Sequence, residues 1–555
     1  MLLSLALAGS TAWFATLRLR TYLHAFQQEE YDPPRLLRWW MEKRAFDRWA
    51  TLGILVAAPF GVLQPHAPAF ATFFWLIWRG RQEPDPTQHG KKPLVLTHRA
   101  TKIWLLASLL FLPFTLLLMA PTVKTTLFIV ILIQVLPLFL IAANALLWPI
   151  QALQNRRYLK EAKSILTQLN PTIIGLTGSF GKTSTKYILN HILAGQAPTL
   201  ATPGSVNTPL GIARVVREQL QPHHAYFLAE MGAYGPGSIA RLCRLAPPKI
   251  SCITALGPAH YERFKSLETV AAAKFEIAAA THAQGGICVL SIDAMPDNLW
   301  RPYVHVNPGG YRLVTARQEF VRPGDYYIEE AHETSKGLAL TISRNGITSS
   351  FQTPIFGEAQ IGNLATAFAV AVELGAKPAT LAAAMASAQP APHRLNIQQS
   401  GSQTIIDDSY NSNPTGFRTA LRTLSLIAGV TPKAKKTARR RILITPGMVE
   451  LGAIHTEEHA KLGQIAALNA DVILAVASAR IPSFVHAVQA AWGMAGKSQN
   501  LPTGGHQWQN AEGKILAEVP TLAAARTWMQ AHGQPDDAVL IANDLPDRYE
   551  ARWTL

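Results

Sequence analysis

Residues 172–184 read Thr172-Ile173-Ile174-Gly175-Leu176-Thr177-Gly178-Ser179-Phe180-Gly181-Lys182-Thr183-Ser184. The first five form a short apolar, β-branched run, the pattern of a buried strand. Thr177 to Ser184 is a glycine-bearing loop that closes on Gly-Lys-Thr, and a helix is expected over Thr185–Ala194. Strand, loop and helix together make a phosphate cradle. Loop N–H groups and the helix N-terminus would hold the β- and γ-phosphates, Lys182 would add a positive charge, and the Thr183 hydroxyl would bind Mg²⁺. A strict P-loop would carry glycine at 176, where this chain has leucine. The sequence therefore predicts a nucleotide-binding α/β domain, with Thr177, Gly178, Ser179, Phe180, Gly181, Lys182, Thr183 and Ser184 around the phosphates.

Upstream of the cradle the composition changes. The chain has 555 residues, of which 48% are hydrophobic and only 15% charged. Soluble domains carry about 25% charged residues. The length allows roughly three to four domains. The net charge is +16, and residues 1–160 hold 17 Lys and Arg against 7 Asp and Glu. The basic excess thus lies beside apolar segments, as the positive-inside rule expects. A nucleic-acid binder would want basic patches interleaved with exposed aromatics on a soluble face, so nucleic acid is set aside as a partner. The local basic run Lys433, Lys435, Lys436, Arg439, Arg440 and Arg441 reads as a solvated loop. Three cysteines, Cys243, Cys252 and Cys288, fit a reducing compartment and lack metal-ligand spacing.

Four stretches lack charge: Met1–Leu17, Trp49–Trp78, Ile103–Val123 and Thr125–Asn155. Met1–Leu17 precedes Arg18 and Arg20, whereas a signal peptide carries its positive charge first. It reads as a membrane segment with its N-terminus outside. With nucleotide chemistry in the cytoplasm, the basic loops Arg18–Arg48 and Arg79–Lys102 lie inside and the Val123–Thr125 turn outside. Trp49–Trp78 then crosses twice or not at all. A hairpin turning at Gln64–Pro68 and a single tilted span that breaks the charge rule both fit the sequence. Trp39, Trp40, Trp49, Trp75, Trp78 and Trp104 suit interfacial positions. The expected setting is a multi-pass region in a bacterial inner membrane, in contact with membrane lipid, with the catalytic part in the cytoplasm.

Downstream, further motifs occur in order. They are Asn207-Thr208 with Gly211, then Leu228-Ala229-Glu230-Met231-Gly232-Ala233, a strand end carrying one carboxylate. Gly257-Pro258-Ala259-His260 comes next, with Glu262, Phe264 and Ser266, and Lys274 stands fourteen residues after His260. Later come Gly357–Asn363, His393-Arg394, Asp407-Asp408-Ser409-Tyr410-Asn411-Ser412-Asn413-Pro414, and Pro446-Gly447-Met448-Val449-Glu450-Leu451-Gly452 with His459. Strands are expected at Arg441–Thr445, Val472–Ala475 and Ala538–Ile541, alternating with helices in a mostly parallel sheet.

This ordered set, over roughly residues 170–545, resembles the Mur ligases, which join amino acids to peptidoglycan precursors. It is most similar to the branch that adds D-alanyl-D-alanine. The resemblance implies an ATP-dependent ligase that makes an amide through an acyl phosphate. Its acceptor would be a carboxylate of a peptidoglycan precursor, either UDP-linked or lipid-linked. The incoming amine would be an amino acid or a D-Ala-D-Ala-type dipeptide. The resemblance also implies roles. Lys182 would follow the transferring phosphoryl group, and Thr183 and Glu230 would hold one Mg²⁺. Glu230, His260 and a carbamylated Lys274 would hold a second Mg²⁺. Asn363, Arg394, Asp408 and Asn411 would face the nucleotide.

The implied organisation is α/β: a helical transmembrane region over 1–155, a P-loop central ATP-binding domain over 165–395 and a Rossmann-like C-terminal domain over 396–555. The family's usual N-terminal UDP-binding domain gives way here to the membrane region. Ala255, Ser291 and Ala359 depart from the family pattern. Near the C-terminus, where the family has Lys-Gly-Ser, this chain reads Leu540-Ile541-Ala542-Asn543-Asp544-Leu545-Pro546-Asp547. A capsule-type poly-γ-glutamate synthase is the alternative within the enzyme class. A non-catalytic membrane scaffold and a transport ATPase are the alternatives outside it. The scaffold predicts decay of Thr183, Glu230, His260 and Lys274, all of which are present.

Overall fold

The computed structural model describes residues 2–543 apart from 30, 43–44, 63, 65, 88–92, 117–122, 258–263, 265, 335, 411–413, 430–438, 449–450, 452–453 and 495–497. It divides into two compact units, one of residues up to Gln154 and one of Asn155–Leu545.

The first unit is helical: α1 (Leu2–Gln28), α2 (Pro33–Glu42), α3 (Arg48–Ala57), α4 (Ala67–Arg81), α5 (His98–Leu116), α6 (Val123–Gln134) and α7 (Leu136–Leu169), whose last part belongs to the second unit. Phe14, Leu19, Phe26, Ile54, Phe111 and Ile133 contribute to its core. By length and composition, α1 and α7 are long and apolar enough to cross a membrane.

Trp49–Trp78 folds as a hairpin and not as one tilted span. Its arms α3 and α4 are joined through a short 3-10 turn at Ala58–Val62. Trp75 Nε1 donates to the Trp49 carbonyl at 3.2 Å. A Cβ at Gly53 would lie 2.1 Å from the Trp75 indole, so glycine permits the close approach. The expected single segment Thr125–Asn155 is instead broken at Val135, between α6 and α7. Pro137 has no N–H for Ile133, and its ring crowds that carbonyl.

The charge reading also needs correction. Arg18 is within α1, not in a basic loop, and is 2% exposed. Its guanidinium pairs with Asp47 at 2.5 Å and Glu83 at 3.1 Å. Thr21 donates to Glu83 at 2.6 Å, and Gln134 brackets the Asp47 backbone at 3.0 Å on both its N–H and its carbonyl. A cation bound by two carboxylates cannot serve as a free topological charge. Among the tryptophans, Trp39 is buried, whereas Trp49 and Trp78 are exposed.

The second unit holds two sheets. In the first, β1 (Thr172–Thr177), β2 (Thr199–Ala201), β3 (Tyr226–Glu230), β4 (Ile250–Ile253), β5 (Ile287–Ser291), β6 (Tyr311–Thr315), β7 (Tyr326–Thr334), β8 (Gly337–Arg344) and β9 (Ile347–Thr353) lie in the order β2-β3-β1-β4-β5-β6-β7-β8-β9. Pairing is parallel through β7 and antiparallel from β7 to β9. The chain moves from β1 outward to β2, returns through β3, and then crosses to β4. The crevice at the carboxyl end of β1 is therefore a topological switch point, the usual ligand position of an open α/β sheet. Apolar cores cover both faces, one including Ile173, Phe227 and Ile253, the other Ile174, Leu228 and Cys252. This is why β1 reads as an unbroken apolar run.

The second sheet starts at Asn396. It comprises β10 (Asn396–Ser400), β11 (Gln403–Asp408), β12 (Arg441–Thr445), β13 (Val472–Val476), β14 (Gln499–Asn500), β15 (His506–Gln509), β16 (Ile515–Val519) and β17 (Ala538–Ala542), in the order β10-β11-β17-β12-β13-β16-β15-β14. Its central strands are parallel, as the alternation of strands and helices predicts. Lys433, Lys435 and Lys436 lie outside the described residues. Arg440 and Arg441 are not solvated loop residues: they pair with Asp537 at 2.8 Å and Asp471 at 2.7 Å. All three cysteines are free and buried.

Candidate active site

The helix after the cradle, α8 (Lys182–Ala194), begins three residues earlier than the sequence suggested. Gly181 is its N-cap, with φ +81°, a conformation that glycine takes without strain. The early start puts Lys182, Thr183 and Ser184 in the first turn, where backbone N–H groups lack intrahelical partners and point toward an anion. A Cβ at Gly178 would lie 2.1 Å from Thr254 Oγ1, and one at Gly181 would lie 2.2 Å from Asn363 Oδ1. Gly181→Ala combines that clash with backbone strain of about 1–3 kcal/mol. Its expected result is ADP binding weakened about tenfold or more, read by titration calorimetry; unchanged affinity would show that the loop tolerates a side chain there.

The other loop side chains hold its shape. Thr177 Oγ1 donates to the Met231 carbonyl at 2.9 Å. Ser179 Oγ donates to the Gly257 carbonyl at 2.9 Å and accepts from the Gly257 N–H at 3.0 Å. The Phe180 ring packs where a Cβ of Gly257 would stand. Lys182 Nζ donates to the Gly178 carbonyl at 2.6 Å and the Ser179 carbonyl at 3.3 Å. Burial lowers the Lys182 ammonium to about 8; Glu230 opposes this and Arg394 adds to it.

Glu230 ends β3, beside the loop, and is 1% exposed. Its Oε2 accepts from Thr183 Oγ1 at 3.0 Å and Lys186 Nζ at 2.9 Å. Asn207 Nδ2 stands 3.5 Å from Oε1, and Tyr234 OH donates to Asn207 Oδ1 at 2.9 Å. Thr183 and Glu230, expected as metal ligands from positions 47 residues apart, are thus in direct contact.

Lys274 is 4% exposed on the helix Leu267–His282, which Ser266 caps through the Thr269 N–H. Burial pushes its ammonium well below the usual lysine range, and the charge of Lys182 pushes the same way. His260 and Asn411 lie outside the described residues. Among the described residues no three His, Cys, Asp or Glu side chains form a metal-sized cluster.

Asn363 lies on the helix Ile361–Glu373, against the first turn of α8. Its Oδ1 accepts from Thr185 Oγ1 at 3.2 Å, and its Nδ2 donates to Gln360 at 2.8 Å. Arg394 is between His393 (φ +61°) and Leu395 (φ +49°), just before β10. Its guanidinium stacks over the Tyr410 ring at 4.7 Å, and its charge reaches Lys182 and Lys186. Asp408, at the end of β11, accepts from the Leu395 N–H at 3.2 Å. Burial raises its carboxyl from 3.8 to about 7, against the pull of that bond and of Arg394.

A carboxyl raised in the folded state binds its proton more tightly there than in the unfolded chain. Stability is therefore highest below about pH 4 on this account, and is lost as pH rises toward 7. Asp408→Asn, which keeps an acceptor, should flatten that decline in denaturation midpoints measured from pH 5 to 8. An unaltered slope would assign the pH dependence elsewhere.

Three further residues build the site without any motif reading to announce them. Lys186 is one helical turn beyond Lys182, and this i+4 spacing was the available signal. Thr254 donates to the carbonyls of Phe180 and, at 3.3 Å, Thr177. Ser205 and Tyr410 share a hydroxyl–hydroxyl bond. The positions of Thr254 and Ser205 depend on strand order and could not be read locally. Asn543, within the run that departs from the expected Lys-Gly-Ser, is 1% exposed. It donates through Nδ2 to the Gly447 carbonyl at 2.8 Å and through its N–H to the Asp408 carbonyl at 3.0 Å.

Residues 176–371 match the Mur ligase middle domain. The UDP-N-acetylmuramoyl-tripeptide–D-alanyl-D-alanine ligase of Mycobacterium leprae is 32% identical over 398 residues, 69% of this chain and 73% of that protein. A crystal structure of MurF from Acinetobacter baumannii is similar with a TM-score of 0.57 and 25% identity, over 70% of this chain and 78% of that one. The MurF ligase of Thermotoga maritima in complex with ADP shares the fold, with a TM-score of 0.55 and 22% identity, over 70% and 80%.

Proposed function

Because this chain belongs to the Mur ligase family and is an ATP-dependent ligase, we propose that it joins D-alanyl-D-alanine to a UDP-MurNAc-tripeptide acceptor, as the relatives' names describe. The observation that carries the proposal is the assembly of Lys182, Thr183, Lys186 and Glu230 at the switch point of the first sheet.

A carboxylate does not accept an amine at neutral pH without activation. In the proposed sequence an acceptor carboxylate oxygen attacks the γ-phosphorus, the bond to the β-phosphate oxygen breaks, and ADP leaves. The dipeptide amine then attacks the acyl carbon. Phosphate departs with the bonding pair, and the amine proton passes to solvent or a base. Negative charge gathers on the phosphoryl oxygens, so positioned cations and N–H donors supply most of the stabilisation. Lys182 would follow the transferring group, and the first turn of α8 would hold the phosphates.

Thr183 Oγ1 and Glu230 Oε2 are hard oxygen donors 3.0 Å apart, a set that suits Mg²⁺. Mg²⁺ there would offset charge on the phosphate oxygens. His260, Glu230 and a carbamylated Lys274 would hold a second ion. The low ammonium pKa of Lys274 supports this reading, because the neutral amine is the form that adds to CO₂. Asn363, Arg394, Asp408 and Asn411 would line the nucleotide side.

The proposed organisation is a membrane region over 1–155, supported by the length and composition of α1 and α7, a central domain over 165–395 and a C-terminal domain over 396–555. Among the described residues, none before Thr172 forms a strand. The test is phosphate release by the full chain with ATP, Mg²⁺, UDP-MurNAc-tripeptide and D-Ala-D-Ala, with mass spectrometry of the product. The expected result is release that requires acceptor and dipeptide together, and a UDP-MurNAc-pentapeptide product. Phosphate release independent of the dipeptide, or turnover with glutamate in its place, would overturn the proposal.

A further inference from the structure

We propose that the groove between α5 and α7 binds the headgroup of an anionic phospholipid. The groove has a cavity of about 170 Å³ and is lined by Arg99, Lys102, Ile103, Asn144, Leu147 and Trp148, among others. Arg99 is held from two sides: its Nη2 donates to Asn144 Oδ1 at 3.1 Å, and its guanidinium stacks over the Tyr31 ring at 4.2 Å. Lys102, one turn further along α5, is exposed. Neither cation pairs with a carboxylate among the described residues, whereas Arg18 and Arg20 of the same unit both do. Two cations one turn apart, one of them oriented by neutral groups, make a site for an anion.

The apolar surface beyond Lys102 on α5 distinguishes the kind of anion. Leu105, Leu109 and Leu112 continue its face at helical spacing and are 56%, 62% and 49% exposed. On α7, Trp148 at 68% and Leu153 at 70% are also exposed. An inorganic phosphate would use the cations alone and make no contact with this apolar surface. A phosphodiester carrying acyl chains would use both, with the phosphate on Arg99 and Lys102 and the chains along the leucines. Charge complementarity excludes a zwitterionic headgroup as an equal ligand, because its own ammonium would face the two cations.

The test uses the purified full chain in detergent and short-chain dihexanoyl phosphatidylglycerol. Binding is followed by tryptophan fluorescence, with Trp148→Phe to identify the local signal. The expected result is saturable binding that weakens about fivefold in Lys102→Gln, further in Arg99→Gln/Lys102→Gln, and with added salt. Dihexanoyl phosphatidylcholine and inorganic phosphate should neither saturate nor compete. Equal affinity for phosphatidylcholine would reduce the groove to an apolar surface. Equal affinity for inorganic phosphate would make it a soluble-anion site. Unchanged phosphatidylglycerol affinity in Lys102→Gln would overturn the assignment without dependence on how Arg99→Gln folds. None of these outcomes bears on the ligase reading, since neither cation belongs to the nucleotide site.

Discussion

Replacing Lys182 with methionine should lower kcat for ligation by about 10²–10³-fold, the usual scale for removing one donor from a site that stabilises developing charge. The variant keeps the length of the side chain and removes only its charge and its hydrogen bonds. In the folded protein those bonds run to the Gly178 and Ser179 carbonyls, within the loop itself, so the cation already stands over the cradle. Burial lowers its ammonium to about 8, so most of it remains protonated at pH 7. This fixes the sign of the pH dependence. Activity that needs the charged lysine is present below about pH 8 and falls as pH rises through that value. Steady-state phosphate release from pH 6.5 to 9, for the parent and for Lys182→Met, checks both statements. A variant within threefold of the parent would remove Lys182 from the chemistry.

Lys186→Met should destabilise the second unit by about 3–5 kcal/mol, the cost of removing one partner from a buried ion pair. Lys186 and Glu230 are each 1% exposed and 2.9 Å apart. Without the lysine, Glu230 keeps the Thr183 hydroxyl but loses its only ion-pair partner among the described residues. The Gly204 carbonyl also loses its donor at 2.5 Å. A denaturation midpoint several degrees below the parent is expected. The double variant Lys186→Met/Glu230→Gln removes both charges and should recover part of that loss, because the buried charge and not the missing contact is the larger cost. If the two substitutions simply add, the pair is not the source of the effect.

The strand at Thr172–Thr177 and the loop after it were legible because a buried parallel strand and a phosphate loop are both local patterns. The start of α8 was misplaced because Gly181 alone, through its left-handed backbone, permits the helix to begin at Lys182. β12, β13 and β17 fall where the sequence put them, since each is a short apolar run between helices. Contacts across the sheet were not legible. Ser179 with Gly257, Thr254 with Phe180, and Thr185 with Asn363 join residues 74 to 178 positions apart. Only strand order brings them together. In the first unit, low charge identified the apolar segments but not their breaks. Pro137 sets one of those breaks and Gly53 under Trp75 closes a hairpin, and both effects depend on single residues within otherwise uniform runs.

Arg18 carries a consequence for the order in which the first unit is made. It lies in α1, yet Asp47 comes 29 residues later and Glu83 comes 65 residues later. At about 5–20 residues per second, α1 waits on the order of 3–13 s for its second carboxylate. Until then the guanidinium within this apolar helix has Asp47 as its one carboxylate partner among the two. α1 therefore gains its full set of charge partners only once the chain has passed α4, although α1 precedes α4. Truncation of the nascent chain before residue 83 should leave α1 open to protease, and extension past it should close that window.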